Sequence, residues 1–159
     1  MGGVVVVGCG NPDAADDAIG VLAIREARAA LEAIPGVRVI EGVIGPDLAN
    51  LIGPTEPAVI VDAVRTPGGG RSPGTVVRAE VGSEGLPTEV GASLSSHGFG
   101  IGEAIALAMA LGRTAPTVFL GVEVGDVTVG RSVSPAVGRA LPELVRLVLG
   151  ETSRLAAST

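Results

Sequence analysis

Three short aliphatic segments limit most strongly what this chain can fold into. They are residues 4–9 (VVVVGC), 58–63 (AVIVDA) and 117–124 (TVFLGVEV). Segments of this length that are rich in β-branched residues and lack polar alternation are typical of strands buried on both faces of a sheet. Only two residues of the chain are aromatic, so the predicted core consists of Val, Leu, Ile and Ala. We therefore expect a parallel sheet that is covered by helices.

Between these segments, apolar residues recur with helical periodicity. The clearest series alternates steps of four and three, at Gly20, Ile24, Ala27, Leu31 and Ile34. This spacing predicts a helix that stops at Pro35-Gly36. Further helices are predicted over residues 47–52, over residues 101–108 before Gly112, and from Ser134-Pro135 to residue 148. Two more strands are predicted over residues 37–40 and 75–81, the second as an antiparallel edge strand.

Alternation of strands and helices is the pattern of doubly wound folds. It predicts a three-layer α/β/α sandwich, with a mostly parallel, twisted sheet of about five strands and helices on both faces. We expect a single α/β domain over residues 1–150 and a frayed C-terminal tail over residues 151–159. Pro142 predicts a kink or a break in the last helix. The Pro- and Gly-rich residues 66–74 are the candidate for a mobile flap.

Composition excludes several classes of function. Eleven basic residues stand against seventeen acidic ones, and the net charge of −6 argues against nucleic acid as a partner. Cys9 is the only cysteine, so we expect no internal disulfide and a cytoplasmic, reducing compartment. The apolar run at residues 4–7 is too short for a signal peptide or a membrane span, so no membrane partner is expected.

The first strand ends in a glycine-rich turn, residues 8–11, which is followed by Asp16 and Asp17. Open α/β sheets bind ligands at such turns. A dinucleotide site would need glycine where this chain has Asp13, and a phosphate-binding loop would need a lysine, which the chain lacks. Two carboxylates at a helix start also disfavour a phosphate ligand. We expect Asp16 to cap the helix and Asp17 to face the crevice.

Two other residues can join Asp17. Asp62 ends a buried strand, where a charge needs hydrogen bonds from loop N–H groups or a metal ion. The first and third strands end at the same edge of a parallel sheet, so Asp17 and Asp62 can approach each other. His97, the only histidine, precedes a helix whose positive end favours the neutral, metal-ligating imidazole, although a merely hydrogen-bonded histidine is also common. Two carboxylates and one imidazole suit a divalent ion such as Ni²⁺ or Zn²⁺.

Two nucleophile hypotheses are weaker. A catalytic triad is unconvincing because Ser96 is the immediate neighbour of His97 and no nucleophile-elbow motif occurs. Cys9 is better explained as a small buried residue at a strand end than as a nucleophile.

At this point the sequence resembles the hydrogenase maturation endopeptidases, which remove a C-terminal extension from the large subunit of nickel-iron hydrogenases. The resemblance runs over nearly the whole chain. Its most specific part is Gly8-x-Gly10-Asn11-x4-Asp16-Asp17-x2-Gly20, supported by Asp62-Ala63, His97 and Leu120-Gly121-Val122-Glu123. Two positions depart from the usual family pattern. Glu41-Gly42-Val43 stands where the family usually has an acidic residue followed by two glycines. Ala18 stands where a glycine is frequent.

The resemblance implies that Asp17, Asp62 and His97 form the metal site and the catalytic site. It also implies that the nickel belongs to the large-subunit precursor, although another divalent cation could occupy the site in isolation. Water is expected to attack the scissile peptide with Asp17 or Asp62 as general base. Two alternatives stay open: a non-catalytic module that senses a metal-loaded precursor, and a small-ligand or nucleotide-binding α/β domain.

Overall fold

The computed structural model describes residues 3–90, 92–93 and 99–159. Within these residues one mixed sheet contains six strands, in the spatial order β2-β1-β3-β6-β4, with β5 paired to β3. Their bounds are Val4–Cys9 (β1), Val37–Val43 (β2), Ala58–Arg65 (β3), Val76–Glu80 (β4), Ala92–Ser93 (β5) and Thr117–Glu123 (β6).

Strand directions follow the predicted pattern. β1 pairs in parallel with both β2 and β3, and β3 pairs in parallel with β6. β4 is antiparallel to β6 and forms one edge, which confirms the predicted antiparallel edge strand. The short β5 is antiparallel to β3: Val64 pairs with Glu123 on one side and with Ser93 on the other. β5 therefore lies on the β1 side of β3, beyond the end of β1.

Helices cover both faces of the sheet, as predicted. Their bounds are Ile19–Glu32 (α1), Gly45–Leu51 (α2), Ile101–Ala110 (α3) and Pro135–Ala157 (α4). Side chains of a strand point alternately to the two faces. Val4 and Val6 pack with α1 and α4, whereas Val5 and Val7 pack with α2 and α3. The three-layer α/β/α sandwich is thereby confirmed.

The last helix differs from its prediction in two respects. α4 is one uninterrupted helix through Pro142, so of the predicted kink or break the break is absent, while the kink stays a prediction. It also continues to Ala157, and Thr152 and Leu155 are buried. The expected frayed tail over residues 151–159 is therefore wrong for most of its length. The physical reason is packing: buried residues lie on both sides of the proline, and Leu155 joins the same core cluster as α1.

The Pro- and Gly-rich segment 66–74 contains a short 3-10 turn, Pro67–Gly69. Both of its ends are bound by Glu123, whose carboxylate accepts from the N–H of Thr66 at 2.7 Å and whose carbonyl accepts from the N–H of Gly74 at 2.8 Å. The segment thus forms a loop closed at its base, and its mobility stays a prediction. Among the helices of the described residues, none has the length and apolar character required to cross a membrane.

Candidate active site

The candidate site lies at the carboxyl ends of β1 and β3. Gly8 pairs with Val61, so the next residues along the two strands, Cys9 and Asp62, are neighbours. Cys9 belongs to the core cluster on the α2/α3 face, and strand alternation places Asp62 on that same face, with Ile60. Asp62 is 2% exposed. Asp62 does not end β3 as expected, because the strand continues to Arg65, but its carboxyl group is buried beside the end of β1.

Asp17 reaches this edge from the turn between β1 and α1. It lies in a 3-10 turn, Ala15–Ala18, and its Oδ2 accepts a hydrogen bond from the N–H of Asn11 at 2.9 Å. Gly10 has a φ of 107°, and a Cβ there would collide with the Asp17 carbonyl oxygen and lie 3.1 Å from its Oδ1. Glycine at residue 10 therefore allows the chain to fold back over the end of β1 and hold Asp17 there.

Gly20 explains a second part of the glycine pattern. A Cβ at this residue would lie 2.6 Å from the carbonyl oxygen of Val61 and 2.7 Å from that of Cys9. The first turn of α1 therefore rests directly on the ends of β1 and β3, an approach that only glycine permits. This close packing brings the preceding 3-10 turn, and with it Asp17, to the rim that holds Asp62.

The two carboxyl groups interact electrostatically. Burial raises the pKa of Asp62 well above its ordinary value and the negative charge of Asp17 raises it further, while the hydrogen bond from the N–H of Ala63 opposes both effects. Burial also raises the pKa of Asp17, and the bond from Asn11 opposes this rise. Asp17 is the more exposed of the two carboxyl groups, and the two titrate as a coupled pair. Two interacting carboxyl groups with raised pKa values are an arrangement that supports general acid–base chemistry.

Contrary to the prediction, Asp16, the neighbour of Asp17, does not cap the helix. Neither the 3-10 turn nor α1 has a side-chain cap. Instead the carboxylate of Asp16 is completely buried and accepts hydrogen bonds from the loop that joins β6 to α4. The prediction was wrong because this loop supplies backbone donors that outcompete the N–H groups of the helix start. The two adjacent aspartates therefore have different surroundings.

Cys9 is buried and has a free thiol. Burial raises its pKa well above the ordinary value, and the negative charges of Asp62 and Asp17 raise it further. The sulfur is therefore a protonated thiol at neutral pH and a poor nucleophile. This agrees with the prediction of a small buried residue at a strand end.

His97 lies outside the described residues, and so does Ser96. The described residues on either side of these two lie at the same edge of the sheet as Asp62. Ala92–Ser93 pairs with β3 beyond the end of β1, and a Cβ on Gly45, at the start of α2, would lie 2.8 Å from the backbone of Gly100. Within the described part of the chain, no group of three His, Cys, Asp or Glu side chains is arranged to hold a metal ion. The set of Asp17, Asp62 and His97 therefore stays a prediction.

A protein-family model described as hydrogenase maturation protease matches residues 21–151. The chain belongs to this family. It is accordingly a peptidase, and the resemblance drawn from its motifs is confirmed. The glycine turn and Asp17 precede the matched residues, whereas Asp62 lies within them.

Solved structures of hydrogenase maturation proteases have the same fold. The hydrogenase maturating endopeptidase HybD from E. coli is 21% identical with a TM-score of 0.75, covering 96% of this chain and 93% of that one. The [NiFe] hydrogenase maturation protease HybD from Thermococcus kodakarensis is 26% identical with a TM-score of 0.68, covering 94% and 99%. An endopeptidase from Escherichia coli is 22% identical with a TM-score of 0.76, covering 93% and 90%. A search of curated protein sequences found no match.

One buried acid of this protease was not identified by reasoning from individual residues. Glu123, 2% exposed, ends β6 as Asp62 ends the aliphatic part of β3, and it accepts from the N–H and the hydroxyl of Thr66 at 2.7 and 2.9 Å. The signal was present, because an acidic residue closing an aliphatic strand is the same pattern that singled out Asp62. Its hydrogen bonds show that Glu123 fastens the start of the 66–74 loop.

Proposed function

We propose that this protease removes the C-terminal extension of a nickel-iron hydrogenase large-subunit precursor after nickel has been inserted. The observation that carries the proposal is the pair of interacting carboxyl groups, Asp17 and Asp62, at the ligand-binding edge of a sheet in a member of this family. The names of the similar structures, which refer to hydrogenase maturation, support the choice of substrate. The lone free thiol of Cys9 supports a cytoplasmic location.

We propose that Asp17, Asp62 and His97 hold the nickel of the bound precursor. The two oxygen ligands would come from the 3-10 turn after β1 and from β3. The described residues on either side of segment 94–98 both lie at this edge, which supports His97 as the nitrogen ligand. An isolated protein could hold another divalent cation in the same set. The nickel is thus part of the substrate, and its presence would report that the precursor is complete.

The carboxyl pair also supports a route for peptide cleavage. Water attacks the scissile carbonyl carbon, and Asp17 or Asp62 accepts its proton. Polarisation of that carbonyl is the contribution of a bound cation. The proton then passes to the leaving amine, so that the peptide bond breaks into a carboxylic acid and an amine. The raised pKa of Asp62 favours its retention of a proton until a cation or the substrate arrives.

The decisive experiment incubates the purified protein with nickel-loaded and with nickel-free precursor and measures product masses. Cleavage of the loaded form alone, at one C-terminal site, is the expected result. Binding of the loaded precursor without cleavage would replace the proposal by the non-catalytic sensing module. Heat released on titration with nucleotides would instead indicate a small-ligand-binding domain.

A further inference from the structure

The carboxylate of Asp16 has more hydrogen-bond partners than any capping role requires. Its Oδ2 accepts from the N–H of Gly125 at 3.0 Å, from the N–H of Asp126 at 3.1 Å and from the hydroxyl of Ser134 at 2.9 Å. Its Oδ1 accepts from the N–H of Ser134 at 2.7 Å. All these donors belong to residues 125–134, which join β6 to α4. Because a buried carboxylate is stable only with such partners, Asp16 ties this segment to the turn after β1.

Backbone bonds reinforce the same connection. The N–H of Ala15 donates to the carbonyl of Arg131 at 3.1 Å, and the N–H of Asp16 donates to that of Asp126 at 2.9 Å. Ala15 has a φ of 45° and is the single non-glycine residue with positive φ among those the structure describes. This conformation costs about 1 kcal/mol and persists only where surrounding interactions enforce it. The bonds to residues 125–134 supply that enforcement.

Asp17 follows Asp16 within the same 3-10 turn, and its carboxylate has a different partner. Its carboxylate bonds to Asn11 and repels the charge of Asp62, whereas the carboxylate of Asp16 is held by the 125–134 segment. A side chain on such a short turn has its direction set by the orientation of the turn. We infer that Asp16 is a positioning residue, which acts through Asp17 by locking the turn to residues 125–134. The kinetic part of this inference rests on the proposed function.

The test uses three variants that weaken this lock to different degrees. In Asp16→Asn, whichever way the amide is oriented, its NH₂ group faces at least one backbone N–H, so the network is broken. Ser134→Ala removes the hydroxyl donor alone and keeps the three backbone donors. Ser134→Pro removes both donors of that residue and suits its φ of −64°. Asp17→Asn, in which the Asn11 N–H no longer faces a carboxylate, provides the reference position for a changed Asn11–Asp17 bond.

Two readouts separate a positioning role from a merely structural one. The first is the NMR shift of the Asn11 amide proton in folded protein, which reports its bond to Asp17 without any assumption about activity. The second is processing of nickel-loaded precursor, resolved into kcat and KM. Misplacement of a catalytic group by about 1 Å can reduce the rate about 100-fold.

We expect Asp16→Asn to move the Asn11 signal toward its position in Asp17→Asn, and to lower kcat about 10- to 100-fold with little change in KM. The Asn11 signal and the kcat of Ser134→Pro should lie between those of wild type and Asp16→Asn. The kcat of Ser134→Ala should stay within about threefold of the wild-type value.

An Asn11 signal and a kcat that stay at their wild-type values in folded Asp16→Asn would overturn the inference, even if the variant were less stable. Should Asp16→Asn not fold, absence of any graded effect across the two Ser134 variants would overturn it equally. A displaced Asn11 signal, together with full precursor processing by Asp17→Asn, would instead refute the proposed function and leave the positioning of Asp17 standing.

Discussion

Buried ionisable side chains at the two ends of the sheet differ in how many hydrogen bonds they form. At the amino ends of β3 and β6, Arg113 is 4% exposed and donates to the Thr117 hydroxyl at 2.8 and 3.0 Å, to the Glu56 carbonyl at 2.7 Å and to the Gly53 carbonyl. At the carboxyl ends, Asp62 is equally buried, but within the described residues it accepts one hydrogen bond, from Ala63, and it faces the like charge of Asp17.

This difference separates a structural charge from one that is available for chemistry. The guanidinium of Arg113 has several acceptors in the loops that precede two strands, and these hydrogen bonds offset part of the cost of burying its charge. Among the residues that the structure describes, each carboxyl group of the pair accepts one hydrogen bond, and a bound cation would stabilise the ionised pair. Active sites commonly retain such uncompensated groups at some cost in stability.

The largest effect is expected on activity at the carboxyl end. Asp17→Asn and Asp62→Asn should each reduce precursor processing about 10³-fold or more, because each removes a candidate base and metal ligand while preserving size. Single-turnover processing of nickel-loaded precursor measures this. Asp47→Asn, an exposed change in the first turn of α2, is the matched control. Wild-type rates in either active-site variant would remove that residue from the mechanism.

The next effect is expected on stability at the amino end. Arg113→Ala should lower the free energy of unfolding by about 3 kcal/mol, because several buried oxygens lose their donor and a cavity remains. Urea denaturation at neutral pH provides the measurement. The folded fraction of this variant should process precursor at the wild-type rate, and a loss of activity there would contradict the division between the two ends.

At the carboxyl end a smaller change is expected, and it is an increase in stability. The pKa of Asp62 is raised in the folded protein, so the unfolded chain ionises first and the stability associated with this group falls as pH rises. This stability is fully present below the unfolded pKa, near 3.8, and is lost as pH rises through the folded pKa. Asp62→Asn, which can still accept from Ala63, should therefore stabilise the protein by about 1 kcal/mol at pH 7.

The pH dependence is the sharper part of this prediction. The advantage of Asp62→Asn over wild type should vanish near pH 3.5 and grow toward neutral pH, as followed by thermal unfolding across that range. A constant difference at all pH values would show that ionisation of Asp62 does not limit stability.

The smallest effect is expected for exposed ion pairs. Arg25 lies 2.9 Å from Glu41 on the surface, and Arg25→Ala should change the free energy of unfolding by less than about 0.5 kcal/mol and leave processing unchanged. This variant is the control for Arg113→Ala, because it removes an exposed arginine instead of a buried one. A loss comparable to that of Arg113→Ala would show that burial is not the deciding variable.

Comparison of prediction with structure shows which elements depend on local signals. β1 has the predicted bounds, and β3 extends two residues beyond its predicted end. The two-residue β5 was not predicted, since so short a segment carries no periodicity and is a strand only because it pairs with β3. The length of α4 was underestimated for a related reason: local breaker residues were weighed, while the packing that carries the helix past Pro142 is tertiary.

For the candidate site, the sequence by itself determined that Asp17 and Asp62 share one edge, because parallel strands end on the same side and glycines at residues 10 and 20 permit close approach. The sequence also assigned Asp17 rather than Asp16 to that edge, but only the tertiary structure showed what binds the Asp16 carboxylate. The donors that hold Asp16 come from residues more than a hundred positions away. Local sequence cannot reveal such partners, because hydrogen bonds of this kind exist only after the chain has folded.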